Sequence, residues 1–237
     1  MKLFVLLVLP WLISAQKDDD QPSKRDKYVF TQAWVWQYRN DWIKPGEEGN
    51  KGEFTVYYDT VTKAWLFDVE AFGETGHGFD FVLGNYDGQY TFGFRNEKGK
   101  KRKTVRNMPE IAASRTQNLV IKEEFENNHQ STGNTRIFGK NVFGWQQIKG
   151  EEYQFQHLNS SEKTIRYVAD SDIDFQAVVY FNFLEGEVKI PFHFPTDVPI
   201  GKVLLENATT YEDGKQIILR LKEITDTEYR IDLSKYR

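Results

Sequence analysis

The chain contains no cysteine. Disulfides and thiolate metal sites are therefore closed to it, and so is a bacterial lipobox, which ends in the cysteine that takes the lipid. Small exported domains commonly lean on disulfides. Here the core alone must hold the fold, and 237 residues are enough to build one. Long apolar runs are also scarce. The run near the N-terminus falls short of the roughly 20 apolar residues of a membrane-spanning helix, and no later segment reaches that length. Positive charge is not in excess. The net charge is −4, so no global field draws the molecule to nucleic acid, and no nucleic-acid partner is expected.

Catalytic signatures are missing too. There is no G-x-S-x-G nucleophile elbow, no P-loop and no dinucleotide fingerprint. The four histidines, His77, His129, His157 and His193, include no pair at the spacing of a zinc-binding helix. No cofactor and no metal are expected. DSDIDF offers Asp170, Asp172 and Asp174, but a calcium loop starting at Asp170 needs Gly and Glu where Phe175 and Phe181 stand. These carboxylates read as solvated turn residues.

The N-terminal stretch MKLFVLLVLPWLISAQ has the three parts of a secretory signal. Lys2 is the positive region, Leu3 to Ile13 the apolar region, and Ser14 and Ala15 the small residues before a cut at Gln16. Residues 1–15 are thus expected to be removed, leaving a periplasmic or secreted protein with no integral membrane segment. Residues 16–27, QKDDDQPSKRDK, read as a flexible lead-in.

Aromatic residues are abundant at 15 %, with Phe and Tyr dominant, and this favours strands. From Tyr28 onward a period of two takes over. Phe30, Trp34, Trp36 and Tyr38 recur on one side, then Phe54, Val56 and Tyr58, then Trp65, Phe67 and Val69. Phe79, Phe81 and Leu83 follow, then Tyr90, Phe92 and Phe94. Short links such as DTVTK (59–63) and YDG (86–88) predict an antiparallel meander. Residues 107–128 favour one helix. Strands are expected again at 136–138, 145–148, 153–157, 165–169, 175–183, 188–194, 203–209, 217–223 and 229–233. With no repeat and no linker, residues 28–237 make one β domain. About eleven antiparallel strands exceed what a flat sheet tolerates, so the sheet must curl, close or split.

Three features compete as sites. NYDGQYTFGFRNEKGKKRK (85–103) runs from a strand into a basic block, with Lys100, Lys101, Arg102 and Lys103 at its end. These cations either steer an anionic head group or keep an edge strand soluble. Glu70, Glu74 and Asp80 lie near aromatic strands, as glycosidase carboxylates do, yet no spacing singles out a pair. The third feature is the aromatic side formed by Trp34, Trp36, Phe54, Tyr58, Trp65, Phe67, Phe92 and Phe94. It either fills a closed core or lines an apolar cleft, which would bind a hydrophobic ligand at about 25 cal/mol per Å² buried.

The segments STGNTRIFGKNVFGWQQIKGEEYQF (131–155), IRYVADSDIDF (165–175) and IGKVLLENATTYEDGKQIILRLKEITDTEYRIDLSKY (200–236) resemble an uncharacterised family of exported proteins. The signal ending in Ser-Ala-Gln is similar to those of the Bacteroidetes group. The C-terminal likeness closes on Asp232, Leu233, Ser234 and Tyr236. This family is similar in fold to LolA, the lipoprotein carrier, an open half-barrel with helices over its concave face. The chain departs from the family at GKNVFGW (139–145), where a Gly-aromatic-Cys step is usual. The resemblance implies a carrier with an apolar groove and brings no catalytic residue with it.

The expectation is thus an all-β domain with a minor helix as a lid, forming a curved antiparallel sheet or open half-barrel. Its expected role is noncatalytic: carriage of a lipid, an acyl group or an envelope component. The alternative is a secreted carbohydrate-active or carbohydrate-binding β-sandwich.

Overall fold

A computed structural model of the protein describes residues 26–68, 80–85, 90–107, 115–139, 147–156, 161–173, 175, 192, 194, 195, 197–199 and 201–236. The signal and most of the lead-in lie outside these residues. The described strands are β1 (Lys27–Asn40), β2 (Lys51–Tyr58), β3 (Trp65–Asp68), β4 (Phe81–Asn85), β5 (Tyr90–Glu97) and β6 (Lys100–Asn107). Helix α1 (Arg115–Asn128) follows, then β7 (His129–Phe138), β8 (Ile148–Gln156), β9 (Lys163–Asp170), β10 (Lys202–Thr210) and β11 (Gln216–Asp232). All eleven strands join one curved, unclosed antiparallel sheet in the order β6-β5-β4-β3-β2-β1-β11-β10-β9-β8-β7. The chain thus lays down one meander, β1 to β6, and after α1 lays down a second, β7 to β11, that returns to β1. The open curved sheet expected from the alternation is present.

The two longest strands, β1 and β11, form the central seam. The sequence pattern predicts two strands at 217–223 and 229–233, but they are one strand of 17 residues. Thr225 to Glu228 look like a polar break, yet β1 pairs with β11 across them, from Lys27↔Asp232 to Asn40↔Ile217. Register shifts between Phe30 and Gln32 and between Val35 and Trp36 absorb the mismatch. The apolar residues of β1 on the two sides of the first shift serve different cores. Phe30 packs with Tyr28, Leu66, Leu83, Phe94, Leu233 and Tyr236. Trp34 and Trp36 instead join the larger core with Phe54, Val56, Tyr58, Trp65 and Phe67. Phe30 and Trp34 therefore do not share a face, contrary to their period-two spacing.

The helix is shorter than the 107–128 expected: Asn107 ends β6, and α1 begins at Arg115. Among the described side chains of its last two turns only Phe125 is buried, and it packs on Tyr153 and His129 at 5.2 and 4.1 Å. The strands expected at 145–148 and 153–157 are a single β8 in the described residues. Those expected at 175–183 and 188–194 lie largely outside them, and Phe175, Phe192 and Phe194 are not in strand conformation.

The C-terminal Asp-Leu-Ser-x-Tyr close has a structural role. The Asp232 carboxylate accepts from the Ser234 backbone N–H and hydroxyl at 3.0 and 2.6 Å, turning the chain back. Leu233 and Tyr236 then enter the smaller core. Tyr236 packs edge-on to Phe94 at 5.2 Å.

Candidate functional site

Six of the eight aromatic residues expected to bind ligand meet on one face. Trp34, Trp36, Phe54, Tyr58, Trp65 and Phe67 are each at most 2 % exposed. The register explains the gathering: Trp36 stands opposite Phe54, and Tyr58 opposite Trp65. Cross-strand partners share a face. Phe94 does not belong with them. Val82 pairs with Phe67, whereas Phe81 pairs with Phe94, so Phe67 and Phe94 point to opposite sides of the sheet. The backbone of Phe92 pairs with Leu83 in β5, and its side chain lies outside the described residues.

The six rings are covered rather than open. Phe192 stacks on Phe54 at 4.6 Å with planes 10° apart. Phe194 meets Trp36 edge-on at 5.5 Å and Phe67 at 5.9 Å. Phe175 lies 6.0 Å from Trp36 and 6.1 Å from Trp65. All three phenylalanines come from the connection between β9 and β10, and all three are fully buried. They form a plug over the aromatic face. One polar group is caught in it: the Trp36 indole N–H is buried and has no acceptor among the described residues. Such a group costs roughly 1–3 kcal/mol when left unmade.

Next to the plug, under α1, lies a polar cluster that no sequence motif announced. The His129 side chain is wholly buried, stacked between Phe125 and Phe155. Its Nδ1 lies 3.0 Å from the Phe125 carbonyl, one of the unpaired carbonyls at the helix end. A carbonyl only accepts, so Nδ1 carries the proton and Nε2 accepts from Arg166 Nη1 at 2.7 Å. Arg166 also donates to Asp197 at 2.5 Å and to Asn207 at 2.8 Å. Burial, followed by the adjacent Arg166 charge, lowers the His129 pKa to about 4, with Asp197 opposing. His129 is therefore neutral at pH 7 and fastens the end of α1 to β9. A sequence signal exists only in hindsight: a histidine four residues after a phenylalanine at a helix end.

The other side of the sheet carries a polar row across six strands. Glu53, Gln37, Arg220, Glu206, Tyr167 and Glu152 are successive cross-strand partners from β2 to β8. Glu206, 4 % exposed, accepts from Arg220 at 2.5 and 3.1 Å and from Arg136 of β7 at 2.6 Å. Tyr167 donates to Glu152, which also accepts from Thr132 at 2.8 Å and Asn134 at 3.0 Å. These bonds hold the Glu152 carboxyl below its ordinary pKa.

The basic block forms β6, the terminal strand of the described sheet. Lys98 and Gly99 both take positive φ, at 51° and 82°, in a two-residue turn closed by the Glu97–Lys100 pair. Lys100, Lys101 and Arg102 are exposed and Lys103 is half-buried. Lys101 has a structural partner, with its ammonium 4.9 Å from the centre of the Tyr236 ring. Of the carboxylates weighed as catalytic, Asp80 accepts from the Tyr236 hydroxyl at 3.2 Å, while Glu70 and Glu74 lie outside the described residues. Asp170 accepts from Lys202 at 2.9 Å.

Among the described residues no helix is long and apolar enough to cross a membrane. Comparison with known protein families returns no match, and no curated protein matches the chain either.

Proposed function

We propose that the protein is a noncatalytic carrier or binding protein for a hydrophobic molecule with a lipid or acyl chain, working outside the cytoplasm after loss of residues 1–15. The observation that carries this reading is the plug. Six large rings on an open sheet are covered by three phenylalanines from one connection, Phe175, Phe192 and Phe194.

A plug of this kind suits carriage. An acyl chain entering the site exchanges one apolar cover for another. The net change in buried apolar area is then small, although a single phenylalanine contributes roughly 1.5–3 kcal/mol on burial. Binding stays reversible for that reason, as delivery requires. The Trp36 N–H supplies one directed contact for a carbonyl or head-group oxygen. The resemblance to LolA-like exported proteins supports the same reading.

A second reading rests on a different residue. Trp42 is 54 % exposed, edge-on to Tyr211 at 5.4 Å, with the Lys215 ammonium 4.0 Å above its ring. An exposed indole with polar neighbours is the platform a glycan would stack on. Thermal shift against fatty acids, phospholipids and glycans separates the two. Stabilisation by acyl compounds supports the carrier. Stabilisation by a glycan alone, abolished in Trp42→Ala, establishes the carbohydrate reading in its place.

A further inference from the structure

The polar side of the sheet holds a cleft of about 510 Å³ where β2, β1 and β11 run together. Its walls include Gln37, Arg39, Lys51, Glu53, Ile218 and Arg220. The volume lies within the range of small-molecule sites. Three cations and one carboxylate line it; Asp41 pairs with Arg39, Glu206 with Arg220 and Lys222 with Glu53, which leaves Lys51 as the one lining charge without an opposite partner among the described residues.

Two features set these cations apart from a solvated strand surface. The first is their preorganisation. Arg39 is held along one edge, with Nε 3.2 Å from Asp41 and Nη2 donating to Gln216. Arg220 is held likewise, Nε and Nη2 both donating to Glu206. In each guanidinium Nη1 has no partner among the described residues. Two fixed forks thus keep donors to spare, which is the arrangement that recognises an oxyanion. The second feature is a conflict. Lys51 stands directly opposite Arg39 in the β1–β2 register. Like charges placed directly across a ladder destabilise it. Lys51 is exposed and has no carboxylate partner among the described residues. The pair stands at the rim, where β1 ends and β2 begins, and it leaves the Lys51 ammonium as a charge the sheet itself does not neutralise.

Glu53 and Gln37, joined at 2.7 Å, border the cations and add acceptors and donors of the kind that hydroxyl groups use. We infer that this cleft binds a small hydroxylated molecule carrying one oxyanion, a carboxylate or a phosphate, between Lys51, Arg39 and Arg220. Tyr38 borders both this cleft and the aromatic face, yet the inference rests on the cations alone and does not depend on the carrier reading.

The test titrates the protein with glucuronate, glucose 6-phosphate and glucose, following amide and side-chain resonances by NMR. Glucuronate tests the carboxylate, glucose 6-phosphate the phosphate, and glucose the need for charge. Lys51→Gln is the variant of choice, because it removes a like-charge clash and leaves the melting temperature unchanged or raised. The expected result is that at least one acid shifts Arg39, Lys51 and Arg220 resonances at roughly millimolar concentration, and that Lys51→Gln weakens it about tenfold or more. Whichever acid binds identifies the oxyanion. Glucose leaves the spectrum unchanged. The inference is overturned if neither acid binds, if glucose binds as well as the acids, or if Lys51→Gln binds as tightly as the parent protein.

Discussion

His129 gives the protein a predicted acid sensitivity whose size follows from its surroundings. The neutral ring donates to the Phe125 carbonyl and accepts from Arg166. Protonation replaces the acceptor with a second N–H aimed at a guanidinium. Among the described residues the groups facing the ring are Phe125, Phe155, Arg166 and Asp197, with Asn207 behind Arg166. Asp197 Oδ2, 3.7 Å from Nε2, only partly offsets the cost. The folded pKa of about 4 lies below the ordinary value of 6.5, so the unfolded chain binds the proton first. Stability is then fully present above the unfolded value and is lost as pH falls from 6.5 towards 4. The whole shift corresponds to about 3 kcal/mol, of which about 2 kcal/mol is gone by about pH 5.

The assay is urea unfolding at about pH 7.5 and about pH 5 for the parent protein and His129→Gln. Glutamine keeps an acceptor for Arg166 and does not titrate. Carboxylates common to both proteins cancel in the difference. The parent should lose about 2 kcal/mol more than the variant between the two pH values. Equal losses would refute the placement of a neutral, buried His129 at the end of α1.

Further consequences follow from packing and charge. Glu206→Ala leaves two arginines facing a desolvated gap; since both arginines are partly exposed, the cost should be about 2 kcal/mol, measured by urea unfolding. Gly150→Ala places a methyl 2.8 Å from Leu205 Cδ1 and 3.0 Å from the Phe138 ring, and overpacking of this sort should cost about 1–3 kcal/mol in the same assay. Lys98→Asn should raise the melting temperature slightly, because Asn-Gly is the preferred pair for a turn with two positive φ angles, whereas Gly99→Ala should lower it. Tyr236→Ala removes the contacts to Phe94, Lys101 and Asp80 and should cost about 3 kcal/mol, while Tyr236→Phe should retain most of that.

Much of the sheet was legible because alternation is a local property. Phe54, Val56 and Tyr58, and Trp65 and Phe67, occupy the faces that their spacing assigns them. What local spacing does not contain is register. Phe92 and Phe94 continue the same rhythm, yet the β4–β5 pairing turns Phe94 to the opposite side. The run of β1 is likewise divided between two cores, Phe30 in one and Trp34 and Trp36 in the other, near a register shift against β11, a strand nearly two hundred positions away. Phe175, Phe192 and Phe194 read as strand residues because their spacing and type suit a strand; their role as cover depends on which rings they meet. Arg39, Lys51 and Arg220 alternate as ordinary outward residues in their own strands. Only the pairing of three strands brings them to one cleft.

The central claim, that an acyl chain takes the place of the phenylalanine plug, is tested most directly by tryptophan quenching. Trp34, Trp36 and Trp65 sit within the covered face, while Trp42 is exposed at a different part of the molecule. A brominated fatty acid quenches only indoles that it touches. In a Trp42→Phe, Trp145→Phe background, which leaves Trp34, Trp36 and Trp65 as the indoles of residues 16–237, the account predicts saturable quenching, stronger when Phe192→Ala and Phe194→Ala open the cover. Emission that stays constant in both proteins, across the concentrations at which the unbrominated acid is soluble, contradicts it.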